Sequence, residues 1–213
     1  MPRKSTRRAI TGITGLSEPA ANQAATSTAV RYAYKASLIG AAQQFELTDE
    51  GLSWQIAGRS GIWPYAAISA VRLSYRPVSM QSRRFRAEID RAGGRRIAIL
   101  STSWQTAALM APQDDDYRAF VVQLHRRMQQ GASKAALTAG LGSHLYAAAV
   151  LSLMLLGIAM GGLFIRAIAT GEFAGALFLV GFAALFAWQI GGFMTRNRPR
   201  AYTFGHLPQE LLP

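Results

Sequence analysis

A chain of 213 residues with a net charge of +12 and no cysteine cannot be a disulfide scaffold, a thiol enzyme or a thiolate metal site. Its hydrophobic half is unevenly spread: roughly 50 residues belong to two long apolar runs and about 30 to a polar start, which leaves one small folded domain. The positive balance suits an acidic partner surface, namely anionic lipid, nucleic acid or an acidic protein.

Residues 1–28 carry Arg3, Lys4, Arg7 and Arg8, then mostly small and polar residues, with Glu18 the only acid. No apolar core of a secretory signal is present. The stretch is expected to be a disordered basic arm beside a negatively charged membrane face.

From Val30 the pattern has period two, as half-buried strands require. Tyr32 and Tyr34 alternate with Arg31 and Lys35. Phe45 and Leu47, then Leu52, Trp54 and Ile56, continue the inward face on either side of the turn Thr48-Asp49-Glu50-Gly51. Gly58 and Gly61 mark the next turn, and Pro64, which has no N–H to donate, marks a strand edge. Ile68, Val71, Leu73 and Tyr75 form a further inward set. In the clearest alternation of the chain, Phe85, Ala87 and Ile89 face in while Arg84, Arg86, Glu88 and Asp90 face out. Ala92-Gly93-Gly94 turns the chain back to Ile97 and Ile99.

Asp114, Asp115 and Asp116 precede a helical run, where carboxylates can cap free N–H groups and favour the positive helix end. Tyr117, Phe120, Val121, Leu124 and Met128 recur at three and four, which gives one apolar stripe ending near Gln130. Residues 132–144 read as a linker. Residues 145–165 and 173–194 contain no charged side chain. At 1.5 Å per residue the first run reaches about 31 Å, the thickness of a hydrocarbon core. The tail, 195–213, reads as mostly irregular. Arg126, Arg127 and Lys134 precede the first run and Arg196, Arg198 and Arg200 follow the second, whereas only Arg166 lies in the turn between them. The positive-inside rule therefore places both termini in the cytoplasm.

The order Phe45-Glu46-Leu47-Thr48-Asp49-Glu50-Gly51-Leu52, a glycine-bearing turn, Ile62-Trp63-Pro64-Tyr65 and then Ile68 and Val71 resembles bacterial membrane-associated proteins with a pleckstrin-homology-like domain. The likeness covers residues 29–131. It implies an α+β fold: a small, strongly bent barrel capped by a C-terminal helix, followed here by a two-helix transmembrane hairpin. It also implies a bacterial inner membrane, and binding of lipid, peptide or protein rather than catalysis. Lipid-binding members of the wider family cradle phosphate with Lys and Arg in the first hairpin. Here residues 37–44 hold no basic side chain, which argues against phosphoinositide recognition.

The densest basic cluster, Arg83, Arg84, Arg86, Arg91, Arg95 and Arg96, is the expected contact for anionic headgroups, since guanidinium binds phosphate as a bidentate donor. The competing reading is a solvated hairpin partly neutralised by Glu88 and Asp90. Nucleic acid is disfavoured because Trp54 stands in the inward register and the chain is tethered. His125, His144 and His206 have no metal-ligand spacing, and His125 reads as a helix-surface residue; no cofactor is expected. Gly157, Gly161 and Gly175 are small-residue positions suited to close helix packing, within the hairpin or between copies. The expected function is a non-catalytic, membrane-anchored module presenting a cytoplasmic surface to a protein or peptide partner or to anionic lipid. An oligomerising scaffold or a subunit of a membrane complex is the alternative, with an enzyme or transporter subunit more remote.

Overall fold

The computed structural model describes residues 30–77, 83–106 and 109–213; the basic arm expected over 1–28 lies outside them. The fold is mixed α+β. Strands β1 (Val30–Tyr34), β2 (Gln43–Leu47), β3 (Leu52–Ile56) and β4 (Arg59–Trp63) form an antiparallel meander. Its register sets Tyr32, Phe45, Trp54 and Gly61 in one row across the four strands, so the alternation read from the sequence becomes one apolar face. A second meander is made by β5 (Ile68–Tyr75), β6 (Phe85–Arg91) and β7 (Arg95–Leu100), followed by a ribbon of β8 (Thr102–Trp104) and β9 (Met110–Pro112).

The two meanders share one core, but main-chain pairing does not run from one to the other among the described residues, and the expected closed barrel is not seen. Side chains bridge the gap instead. The Tyr32 hydroxyl donates to the Leu100 carbonyl and the Tyr34 hydroxyl to the Ala98 carbonyl, each at 2.6 Å. Buried tyrosines need such acceptors, and the bonds also cap carbonyls on the open edge of β7. Burial pushes both hydroxyls well above their ordinary pKa.

Helix α1 (Asp114–Gln130) lays Tyr117, Phe120, Val121, Leu124 and Met128 against this core, all fully buried. Tyr32 meets the rings of Tyr117 and Phe120. Two expectations are corrected here. The three aspartates occupy the first turn but the cap position is Gln113, with no side-chain capping bond, so they act only through charge near the helix end. His125 is buried, at 1% exposure, because the domain has a further layer that the apolar stripe does not announce.

That layer comes from the stretches read as linker and tail. Residues 132–144 contain β10 (Ala136–Ala139), which runs parallel to β5 and places Leu137 and Ala139 in the core. Two long helices follow, α2 (Ser143–Ala169) and α3 (Phe173–Arg196), and the chain returns as β11 (Arg200–Ala201), antiparallel to β10. The tail then crosses α1. His125 accepts at Nε2 from the Tyr202 hydroxyl, 2.8 Å away, while its Nδ1–H donates to the Val121 carbonyl at 2.7 Å. Leu211 and Leu212 end in the core.

The base of the helix pair is fixed at Asn197, which is fully buried. Its Oδ1 accepts from Tyr75 N at 3.0 Å, its carbonyl accepts from Leu141 N at 2.9 Å, and its Nδ2 donates to the Phe193 carbonyl at 3.1 Å. Gly140, with φ of +85°, passes so close that a Cβ there would stand 2.4 Å from the Asn197 carbonyl oxygen. The hairpin is thus seated on β5 and β10 rather than hung from a linker. None of the apolar window of α2 and 6% of that of α3 is buried. Buried core helices of a soluble protein do not look like this, so both are helices that could cross a membrane.

Burial holds the His125 pKa below its ordinary value, against a smaller opposing effect of the Val121 carbonyl. The unfolded chain therefore takes up this proton first. The stability contributed by the neutral ring is whole above about pH 6.5 and is lost as pH falls through the folded value. Thermal unfolding of the full chain in detergent between pH 7.5 and 5.5 should show a midpoint that falls on acidification. A His125→Asn variant should have a lower but flatter profile; identical slopes would remove His125 as the cause.

Candidate functional site

On the solvent face of the second sheet, Glu88 projects from β6 into a ring of arginines. Arg86 lies 2.8 Å from its carboxylate, and Arg72 and Arg96 each lie 3.8 Å away. Glu88 is 6% exposed, so its charge is tolerated only because it is paired. Arg96 also holds Asp90, its cross-strand neighbour, through two bonds of 2.5 and 2.9 Å.

The six arginines expected to act together do not lie together. Arg83 and Arg84 stand at the start of β6, beside Tyr75 and the seat of the helices. Arg84 is half-buried, donating to Thr102 Oγ1 at 3.0 Å and contacting Met110 Sδ at 2.9 Å; burial draws its pKa down. Arg83 is exposed. Burial raises the Asp114 carboxyl above its ordinary value and Arg83 pulls it back. Arg91 and Arg95 stand at the far end of the hairpin, directly opposite each other. From Phe85 to Arg91 the strand covers about 20 Å. Arg86 lies between these ends, Arg96 lies next to Arg95 at the far end, and both are already paired. Strand spacing alone made the six look like one patch.

At that far end the inner faces of the two meanders part to form an open cleft of about 830 Å³. Trp54 and Trp63, with Ile56 and Ile97, make its floor, and Arg59 and Arg95 stand at its rim. The indoles meet edge to face, centroids 6.0 Å apart. Neither indole N–H finds an acceptor among the described residues, and a buried donor left so costs about 1–3 kcal/mol. The Trp54 ring lies over Gly61, directly across the ladder, where a Cβ would stand 3.1 Å from the indole. Gly61 is therefore part of β4 and leaves room for a ring, whereas the turn itself is Ala57-Gly58, both at positive φ. A glycine facing a tryptophan two residues into a strand was the available sequence signal for this cleft; Arg59 gave none.

Between α2 and α3 lies an apolar groove of about 710 Å³, lined by Gly157, Gly161 and Phe186 among others. A Cβ at Gly157 or Gly161 would meet nothing within 4 Å, and one at Gly175 only Glu172 Cβ at 4.0 Å. Within one chain these glycines do not bring the helices into close contact. Among the described residues no cluster of His, Cys, Asp or Glu could hold a metal ion.

Comparison with protein families, with curated proteins and with solved structures finds no match.

Gly61→Ala should crowd the Trp54 ring, which must give by a few tenths of an ångström, and the added methyl should cost on the order of 1 kcal/mol if the ring cannot shift. Fluorescence of a chain lacking Trp104 and Trp188 should shift to the red with it. An unchanged spectrum would show that the indole has slack at this position.

Proposed function

We propose that this chain is a non-catalytic, membrane-anchored binding module of pleckstrin-homology-like topology. Helices α2 and α3 hold it at the cytoplasmic face of a bacterial inner membrane, and the tryptophan-floored cleft is what it presents to a protein or peptide partner. The observation that carries this reading is the separation of the two ends. The spans leave from beside Tyr75 and Asn197, whereas the cleft opens at the hairpin tips some six residues along β6 from Phe85. The order of a four-stranded meander, a three-stranded meander and a closing helix supports the family reading.

A second reading has its own observation. Arg76 and Arg83 are exposed beside the seat of the helices, where each cation near an anionic surface adds about 1 kcal/mol. In this reading they rest on headgroups while the far-end arginines do not. A third, self-association through Gly157 and Gly161, draws on the open groove, where a Cβ at either position meets no neighbour within the chain.

Since the chain has no cysteine, single cysteines read its sidedness without background. In intact cells a membrane-impermeant maleimide should label Glu172→Cys, in the turn between the spans, and should label Gln130→Cys only after permeabilisation. The reverse pattern would put the cleft outside the cell and end the cytoplasmic reading.

A further inference from the structure

We propose that the cleft takes an acidic peptide segment, one that sets a carboxylate beside an aromatic or aliphatic side chain. The inference rests on reading the domain as a binding module and names what that module binds.

Charge comes first. Arg91 and Arg95 face each other directly across β6 and β7, and like charges in that position repel. Among the described residues neither has an ion-pair partner, nor does Arg59 across the cleft. Elsewhere on the same hairpin the arginines are matched: Arg86 has Glu88 and Arg96 has Asp90. Uncompensated cations stand at the two tips of the hairpin, and of these Arg95 lies at the rim of the cleft. A carboxylate accepts two parallel N–H bonds from a guanidinium and relieves the repulsion on arrival.

The floor supplies the second requirement. Trp54 and Ile56 are only partly buried, so an apolar side chain laid on them is removed from water at about 25 cal/mol per Å². The two indole N–H groups are closed off beneath this surface, so it is the ring faces that receive the side chain. An inorganic anion would answer the charge and leave the floor wet.

Position then selects the source of the anion. Headgroups surround α2 and α3, which leave the domain at the opposite end of β5 and β6. With about 20 Å of strand between, the cleft opens to the aqueous side, within reach of a dissolved or protein-borne segment.

The test uses the full chain in nanodiscs of zwitterionic lipid. The probes are a synthetic hexapeptide alternating Glu with Phe and Leu, the same peptide with Gln for Glu, and inorganic phosphate. Calorimetric titration should show saturable binding of the acidic peptide that weakens as sodium chloride rises. Binding should fall at least tenfold in the Arg59→Gln, Arg95→Gln double variant, whose changed side chains are exposed, and stay the same in Arg83→Gln at the other end. Equal binding of the Gln peptide, no effect of the double variant, or phosphate competing as well as the peptide each overturns the proposal. Nanodiscs containing anionic lipid give the remaining arm: if they alone abolish peptide binding through Arg59 and Arg95, the cleft reads lipid and the inference fails. Labelling of the single cysteines is independent of these outcomes, so failure here leaves the membrane-anchored module standing.

Discussion

The buried amide of Asn197 is the constraint on which the rest of the architecture depends. A side chain with no exposure sits where three segments converge: the end of β5, the chain leaving β10 for α2, and the chain leaving α3 for β11. Each of its polar groups meets a backbone partner, which is the condition for burying an amide at all. Because the strands before and after the hairpin pair with each other, entry to and exit from the helices are held side by side. The domain is thereby given one pose relative to the helix axes. The distinction between a near end and a far end, on which both functional readings turn, has meaning only because of that seat.

The period-two and helical patterns carried much of the fold. Alternation placed Tyr32, Phe45, Leu47, Leu52, Ile89 and Ile99 on the buried face, and the stripe of α1 is buried residue for residue. Two apolar helices stand where two uncharged runs were read. What stayed hidden was short or remote. Strands β10 and β11 have 4 and 2 residues, too few to show a period, and they exist only because each finds an edge to pair with. His125 carries no mark of burial in the sequence, since the residues that cover it, Tyr202 and Phe204, lie more than 70 positions later.

The arginine hairpin shows why counting charge along a strand misleads. Alternation says that Arg84, Arg86, Glu88 and Asp90 share a face, but not which of them are already satisfied. Once paired, Arg86 and Arg96 hold Glu88 and Asp90, and the half-buried Arg84 holds Thr102. These contacts tie β6 to its neighbours and leave little charge to offer a partner. The available cations are those at the two tips, and the candidate site was legible only in part: Trp54 was recognised as an inward residue, whereas the burial of Trp63 and the relevance of Arg59 come through the fold alone.

A closed barrel would have sealed the face on which the tryptophans lie. Here the two sheets are joined at one corner by the chain from β4 to β5 and at the other by tyrosine hydroxyls reaching Ala98 and Leu100. Those bonds stop three residues short of Arg95, and from there the sheets are free to part. The opening, the unpaired cations at its rim and the half-covered Trp54 at its base are then consequences of one feature: the second sheet is stitched to the first by side chains along only part of its length. In a module seated at the opposite end, this is a place, among the described residues, where the core is open to solvent.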